Sequence, residues 1–288
     1  MTDRRQFLRG AGVALAAGIA VPRLLHAFDR NAGAPPVDRI KRIGLELYTV
    51  RDAMEKNVER TLARVAQIGY KEVEFAGYFE RTPAQVRHAL KANGLAAPST
   101  HIGLGDIRAP NLQRTLDSAH KIGHQWIIVA WIDDKDRQSQ DDYKAIADSM
   151  IAASIEGAKA GVSVGYHNHD FEFVTFDGKT GLEVMLDRTA QTAVAIEMDL
   201  YWAIMAGQDP LAWFAKYPGR FPLVHVKDSA GAPKHEMRDV GAGSIDWKNI
   251  FAHREQAGIK HYFVEHDEPG DAFASAAASY KYLHALTF

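Results

Sequence analysis

Cysteine is absent from the 288 residues of this chain. A disulfide framework is therefore excluded, and so is any metal site built on thiolates. A metal held by this protein must use histidine, aspartate, glutamate or water. A basic excess is also lacking, since 34 Lys and Arg stand against 36 Asp and Glu, for a formal net charge of −2. That balance disfavours binding to the phosphate backbone of nucleic acids, so no nucleic-acid partner is expected.

Long apolar runs are scarce, and the one that stands out lies near the N-terminus, at residues 12–21. It follows the paired arginines Arg4 and Arg5 and precedes a small-residue cleavage site at residues 25–27. This pattern indicates a twin-arginine (Tat) export signal over residues 1–27, with an N-terminal amphipathic helix of a cytosolic protein as the alternative. The run is too short to remain as a membrane anchor. We therefore expect a periplasmic or exported protein that folds, and binds any cofactor, before export.

Residues 40–288 alternate between apolar, strand-like runs and helix-like segments, and a linker over residues 28–39 would precede them. Eight such units in order favour a parallel sheet closed by surrounding helices. The predicted fold class is therefore α/β, a single-domain (β/α)8 TIM barrel. Glycines such as Gly161 and Gly258 follow several helix-like segments and are typical helix stops. The predicted strands are 42–48, 72–76, 97–102, 126–131, 162–167, 194–199, 223–227 and 261–266, and the predicted helices are 58–67, 83–92, 111–122, 141–160, 181–189, 210–217, 247–257 and 272–286.

Four residues of metal-ligand type end four successive strands in the second half of the chain: His167, Asp199, His225 and Glu265. A TIM barrel builds its site from strand ends at its C-terminal face, so this pattern predicts one divalent-cation site. Side chains at i and i+2 share the barrel interior, which places Lys227 beside His225. Each residue alone has a simpler explanation, a structural histidine or a salt bridge at the barrel end. Their joint occurrence favours the metal site.

Other residues near strand ends are candidates for substrate binding or proton transfer. Glu74 and His101 could contact substrate hydroxyls or move a proton. His169 could do either, or make a structural hydrogen bond. Trp131 and Trp202 could stack against a sugar ring, with plain packing at the barrel rim as the alternative.

The remaining candidates have simpler interpretations. Glu197 lies deeper in its strand and is interpreted as the buried partner of a basic group. Tyr201 is a third candidate for stacking, again with rim packing as the alternative. The histidines on helices and loops are predicted to be solvated: His88, His120, His124, His235 and His253.

The block Tyr166-His167-Asn168-His169, with His225-Val226-Lys227-Asp228 and Glu265, resembles the sugar phosphate isomerase/epimerase-like family. This group of xylose-isomerase-like TIM barrels includes ketose 3-epimerases, inosose dehydratases and endonuclease IV, and the resemblance covers nearly all of residues 40–286. In its ketose epimerases, glutamate, aspartate, histidine and glutamate on strands five to eight hold the metal, usually manganese. The last three match Asp199, His225 and Glu265 here, and His167 stands in place of the first glutamate.

The resemblance implies an enzyme that abstracts a proton next to a sugar carbonyl, assisted by a divalent metal. Mn2+ is expected first, with Mg2+, Co2+ or Zn2+ as alternatives. Glu265 would be the base, and His169, His101 or Glu74 the second proton-transfer group, with Lys227 close to the substrate. Because one glutamate stands where the epimerases have two, elimination or isomerisation is as consistent as epimerisation. Export argues for a non-phosphorylated free sugar, keto-sugar or glycoside as the small-molecule partner, and a 3-keto-glycoside lyase or dehydratase that works by elimination is the alternative activity.

Two other functions remain open from the sequence. A DNA-cleaving enzyme like endonuclease IV needs several metals and a basic surface, which the charge balance disfavours. A sugar-binding module that lacks catalysis would also explain His167 in place of a glutamate. The identity of the sugar is left open, as is assembly into a homo-oligomer.

Overall fold

A computed structural model describes residues 38–288. The predicted export signal at residues 1–27 and the predicted linker up to residue 37 lie outside the described residues. Within residues 38–288, no helix is both long enough and apolar enough to cross a membrane. The described chain begins beside its own C-terminal residue, because Asp38 N donates to Phe288 O at 2.9 Å and Phe288 N donates to Asp38 O at 3.1 Å.

Eight parallel strands form a closed barrel, which confirms the predicted fold class. The chain visits them in order around the barrel, and the first strand pairs with the last, with Gly44 opposite Phe263. Each strand lies within two residues of its predicted bounds at either end. The strands are β1 Ile43–Glu46, β2 Glu72–Phe75, β3 Ala96–Ile102, β4 Trp126–Val129, β5 Ser163–His167, β6 Ala195–Asp199, β7 Leu223–Val226 and β8 His261–Val264.

Helices surround the barrel, and they include the eight predicted segments. The predicted helix 247–257 is divided in two at His253, which caps the second part. Two short helices were not predicted: α1, which follows β1 after a 3-10 turn at Leu47–Val50, and α7, which follows β6 directly. The helices are α1 Arg51–Lys56, α2 Val58–Ile68, α3 Pro83–Ala92, α4 Leu112–Ile122, α5 Gln140–Ala160, α6 Gly181–Arg188, α7 Leu200–Met205, α8 Pro210–Lys216, α9 Trp247–Ala252, α10 Arg254–Ala257 and α11 Ala272–Ala285.

Glycine ends several helices as predicted. Gly161 after α5 has φ 71° and Gly258 after α10 has φ 82°, a left-handed conformation that other residues rarely adopt. The unpredicted helix α7 begins differently, since it follows β6 without a loop. Asp199, the last residue of β6, accepts a hydrogen bond from Trp202 N at 2.9 Å and so caps the helix. One aspartate therefore both ends a barrel strand and starts a helix.

Side chains fill the barrel interior in layers. Ile128, Leu223 and Phe263 form an apolar cluster inside the barrel, toward the N-terminal ends of its strands. Gly44 and Gly165 face this cluster, and a Cβ at either position would collide with the side chain of Phe263 or Ile128. Two residues beyond Gly44, Gly165, Leu223 and Phe263 the interior becomes polar, at Glu46, His167, His225 and Glu265, following the strand alternation. This polar layer lies at the C-terminal end of the strands.

The loop between β7 and α9 is fastened to the barrel by one buried carboxylate, Asp228. Asp228 Oδ2 accepts from Gly241 N at 2.8 Å and from Trp247 Nε1 at 2.9 Å, while Oδ1 accepts from Ile245 N at 3.2 Å. A short hairpin, Asp228–Ser229 with Met237–Arg238, starts the loop. The loop is therefore anchored one residue after Lys227.

Candidate active site

His225 on β7 occupies the centre of the polar layer. Its Nδ1 lies 2.6 Å from Glu265 Oε2, and its Nε2 lies 2.7 Å from Glu74 Oε2 and 3.2 Å from Glu197 Oε2. Burial alone would lower the pKa of His225, but Glu197 and Glu265 outweigh it and raise the pKa well above its usual range. Three carboxylates from three other strand ends therefore converge on one imidazole.

Glu197 on β6 joins two further histidines to this centre. Glu197 Oε2 lies 2.8 Å from His101 Nε2 and 3.3 Å from His167 Nδ1. Burial would raise the pKa of Glu197, but the surrounding histidines, His225 first, hold it well below its usual range. Burial lowers the pKa of His167, which favours the neutral ring that ligates metals. Glu197 thus contacts basic groups as expected, and it lies among the candidate metal ligands.

Lys227 forms a second centre, nearer the opening of the barrel. Its Nζ lies 2.8 Å from Glu265 Oε2, 2.9 Å from Asp199 Oδ2 and 2.9 Å from Asp267 Oδ1. Burial would lower the pKa of Lys227, but the three carboxylates, Asp199 first, raise it well above its usual range. Burial would in turn raise the pKa of Glu265, which Lys227 and His225 hold well below its usual value. Lys227 and Glu265 therefore stay ionised together.

The donor atoms at this site fit a divalent cation. Asp199, His225 and Glu265 each offer a ligand atom within 4.8 Å of the others. A second group meets the same limit and consists of His101, His167, Glu197 and His225. Several buried carboxylate oxygens have neither a hydrogen-bond partner nor an ion pair among the described residues, namely Glu46 Oε2, Glu74 Oε1 and Glu197 Oε1. Burial and the nearby Glu74 and Glu265 raise the pKa of Glu46, which indicates an excess of negative charge. Nitrogen and oxygen donors with excess negative charge suit Mn2+ or Zn2+.

His169, two residues beyond the strand end, is held by the turn after β5. Glu172 is fully buried, accepts from His169 N at 2.7 Å and accepts from the Tyr166 hydroxyl. The His169 ring stacks on Phe171 with centroids 5.4 Å apart, and its buried Nδ1 has no partner among the described residues. Burial and the nearby Lys227 lower the pKa of His169 to about 3, so the ring is neutral. A neutral imidazole with an unpartnered nitrogen can exchange a proton or a hydrogen bond with a ligand.

A cavity of about 850 Å³ opens above these residues at the C-terminal face. Most of the predicted site residues line it, and Glu74, Asp199 and His225 lie buried beneath. Trp131 is 50% exposed at its rim, with its edge toward the His169 ring at 5.0 Å. The predicted residues that line the cavity are His101, Trp131, His167, His169, Trp202, Lys227 and Glu265.

Tyr201 and Trp202, the two candidate stacking residues on α7, differ in position relative to the cavity. Trp202 lines the cavity, with its indole ring 5.8 Å from Lys227 Nζ and its buried Nε1 unpartnered among residues 38–288. Tyr201 does not line the cavity. Its hydroxyl donates to His235 O at 2.9 Å, so Tyr201 contacts the loop after β7. Tyr201 therefore belongs to the packing of the rim.

The structure adds residues that the sequence pattern missed. Asp267 follows Glu265 by two positions and contacts Lys227, so the i, i+2 rule applied beyond β8 would have found it. The prediction that His124 is solvated was wrong, because it is 3% exposed. His124 Nδ1 donates to Ala97 O at 2.7 Å, and its Nε2 lies 3.1 Å from the hydroxyl of Tyr78, which lines the cavity. No local pattern indicates a partner 46 residues away.

An eight-stranded parallel barrel with a cavity and a cluster of ionisable residues at the C-terminal ends of its strands has the form in which TIM-barrel enzymes carry their active sites. The chain belongs to the Xylose isomerase-like TIM barrel family, whose model matches residues 62–284. The family expected from the sequence is thereby confirmed.

Known relatives support the same placement. The inosose dehydratase of Lacticaseibacillus casei is 22% identical over 270 residues, which cover 80% of this chain and 90% of that protein. A solved sugar phosphate isomerase/epimerase from Parabacteroides distasonis ATCC 8503 has a TM-score of 0.73 at 26% identity, covering 85% of this chain and 93% of its own. The solved IOLI protein with a binding zinc atom has a TM-score of 0.66 at 12% identity, covering 83% and 95%, and shows likeness of fold alone.

Proposed function

We propose that the protein is a metal-dependent enzyme that removes a proton from the carbon next to a sugar carbonyl. One observation carries the proposal: ligand atoms of Asp199, His225 and Glu265 lie within 4.8 Å of one another at the base of the cavity. The family and the names of its relatives agree with sugar chemistry. A divalent ion bound there would polarise the carbonyl and stabilise the negative charge that develops on its oxygen.

The proposed ligands are His167, Asp199, His225 and Glu265, with Mn2+ as the ion and Mg2+, Co2+ or Zn2+ as alternatives. His167 Nε2 lies 3.8 Å from Asp199 Oδ2, which brings the fourth proposed ligand next to one of the other three. A solved protein of the same fold holds a zinc atom, which agrees with a divalent cation in this chain. Glu197 is a competing ligand, because it belongs with His225 to the second group of candidate ligands.

Glu265 is the proposed base. Its carboxylate is ionised beside Lys227, lines the cavity, and can therefore accept a proton from a carbon held above it. Lys227 would stabilise negative charge on the substrate oxygen, since its ammonium group lines the same cavity as Glu265. His169 is the proposed second proton-transfer group, with His101 and Glu74 as alternatives. Trp131, after β4, and Trp202, on α7, are proposed to stack against the sugar ring.

Elimination is the reaction that we favour for the second step. Glu265 takes the proton, the C–O bond at the neighbouring carbon breaks, and the leaving hydroxide receives a proton to become water, which gives an unsaturated ketone. Two observations favour this outcome over epimerisation. The curated relatives are inosose dehydratases, and His167 stands where the resemblance places the first of two glutamates. Isomerisation or epimerisation shares the first step and is the second candidate.

The proposed substrate is a sugar, keto-sugar or glycoside without a phosphate. This part rests on the twin-arginine pattern at Arg4 and Arg5, from which we propose export, because phosphorylated sugars are metabolites of the cytosol. A strict kinetic requirement for a phosphate group on the substrate would rule it out.

Proton exchange with solvent tests the chemistry directly. The metal-loaded protein is incubated in D2O with non-phosphorylated keto-sugars, and NMR follows loss of the proton next to the carbonyl. We expect exchange or elimination with the wild type, and a fall of at least about 100-fold in Glu265→Gln, which is the size of a lost general base. Glu59→Gln is the matched control, because Glu59 lies on the outer surface of α2 and pairs with Arg81. A wild type that holds metal but exchanges no proton would favour the sugar-binding module instead.

A further inference from the structure

The cavity extends past the proton-transfer groups to a second wall, which nothing in the proposed chemistry uses. This wall lies over β2 and β3 and includes Tyr78 after β2, Asp106 after β3 and three residues of α4, Arg114, Thr115 and Ser118. The proposed cation ligands lie on β5 to β8, on the other side of the barrel. At about 850 Å³ the cavity is near the upper end of the range of small-molecule sites, about 300–1,000 Å³, and exceeds what one sugar ring fills.

Tyr78 is oriented by a buried histidine. His124 Nδ1 faces the carbonyl oxygen of Ala97, which only accepts, so Nδ1 carries a proton. Burial lowers the pKa of His124 to about 4, so the ring is neutral and its Nε2 is an acceptor. The Tyr78 hydroxyl must therefore donate its proton to Nε2, 3.1 Å away. Tyr78 lines the cavity, and the lone pairs of its hydroxyl oxygen remain able to accept a further hydrogen bond.

The rest of the wall offers mixed polar groups. Arg114 is exposed and gives one N–H to Asn111 Oδ1 at 3.1 Å, which leaves further donors of its guanidinium for a ligand. Asp106 lines the same wall, with Oδ2 accepting from Gly103 N at 3.0 Å. Ser118 adds a hydroxyl. Tyr78 and Asp106 offer hydrogen-bond acceptors, and Arg114 is the one positively charged group that the described residues place beside them. This combination disfavours a phosphate group and suits a sugar ring, whose hydroxyl groups both donate and accept hydrogen bonds.

We propose that this wall binds the second sugar ring of a glycoside, so that the substrate is a disaccharide or similar glycoside and not a free monosaccharide. The inference deepens the proposed function and rests on it for the position of the first ring. Tyr78 and Arg114 are the specificity-determining residues, and His124 is a positioning residue that acts through Tyr78.

Calorimetric titration tests the subsite without relying on turnover. The metal-loaded protein is titrated with glucose, glucose 6-phosphate, trehalose, cellobiose and sucrose. We expect at least one disaccharide to bind about tenfold more tightly than glucose, as two or more added hydrogen bonds would give. In Tyr78→Phe and in Arg114→Ala this preference should fall to about threefold or less. Tyr217→Phe and Arg87→Ala are matched controls, since Tyr217 directly after α8 and Arg87 on α3 both lie outside the cavity lining.

Three results would overturn the subsite. The first is equal affinity for glucose and all three disaccharides, and absence of binding by any of them counts the same way. The second is a preference for glucose 6-phosphate that disappears in Arg114→Ala, which would make the wall a phosphate site. The third is an equal loss of glucose and disaccharide affinity in Tyr78→Phe. The subsite and the chemistry are separable, because a disaccharide preference that depends on Tyr78 can persist in a protein that shows no proton exchange.

Discussion

His225 on β7 and Glu74 on β2 are 151 residues apart in the chain, yet His225 Nε2 lies 2.7 Å from Glu74 Oε2. β2 and β7 are not neighbours around the barrel, so this contact crosses its interior. The other nitrogen of the same ring reaches Glu265 on the adjacent strand end at 2.6 Å. The candidate site is therefore one connected polar layer, in which a change at one residue alters the charge state of the others.

Loss of the proposed cation is expected in Asp199→Asn and in His225→Gln. The wild type, purified without chelator, should hold about one divalent ion per chain, measured by elemental analysis. Each variant should bind the ion at least about 10–100-fold more weakly. Losses of that size follow from removing a residue that only supports a ligand, and a ligand itself should matter at least as much. Asp148→Asn is the control, because Asp148 pairs with Arg188 on the outer surface. A wild type without metal would remove the basis of the proposed mechanism.

Lys227→Met should destabilise the fold strongly. Lys227 is 2% exposed and neutralises three carboxylates, so its loss leaves buried charge unpaired, at a cost of about 3–5 kcal/mol in the free energy of unfolding. Urea denaturation in the presence of chelator measures this. The control Lys216→Met removes an exposed pair with Glu183 and should cost less than about 1 kcal/mol. Equal effects of the two substitutions would contradict the proposed role of Lys227.

The buried His124 predicts a loss of stability in mild acid. Its pKa is about 4 in the folded protein against an ordinary value of 6.5. Between those values the unfolded chain binds the proton that the folded chain does not, so the free energy of unfolding falls as the pH drops from 6.5 to 4, by on the order of 3 kcal/mol.

His124→Asn keeps a donor and an acceptor but does not titrate, so its unfolding free energy should depend less on pH over this window. Urea denaturation at several pH values between 4 and 7 measures both proteins. Parallel pH curves for wild type and variant would show that His124 is not the group responsible. His88→Asn is a suitable control, because His88 is exposed on α3.

Export is testable through the arginine pair. We propose that Arg4 and Arg5 belong to a twin-arginine signal, so replacing both with lysine in the full chain should retain the protein inside the cell. Immunoblots of periplasmic and cytosolic fractions measure this. Arg23→Lys serves as the control, since Arg23 follows the apolar run and lies outside the pair. Periplasmic protein from both variants would argue against this route.

The barrel and its strand ends could be predicted because they leave a local trace. Apolar runs of fixed spacing give the eight units, and alternation along β7 places His225 and Lys227 on the same side. Periodicity does not show where a strand passes directly into a helix, and α7 was missed for that reason. There, one aspartate side chain caps the helix with no loop between.

Contacts across the interior could not be predicted, because they depend on how the barrel closes. The ring of His124 lies at the start of β4 and reaches Tyr78 after β2, so its burial is decided by two other strands. Glu197 contacts His101, 96 residues earlier, for the same reason. The sequence indicated which residues are polar at the strand ends, and only the closed barrel shows which of them meet.

Asp228 has a consequence for how the protein could be altered. Its carboxylate fixes the loop at residues 241, 245 and 247, while the preceding Lys227 faces the cavity. The stretch 231–235 is the tip of the hairpin formed by Asp228–Ser229 and Met237–Arg238, so its length could change without moving the lysine. That stretch is where an engineer could graft a new segment over the cavity mouth, whereas a change at Asp228 would disturb recognition and stability together.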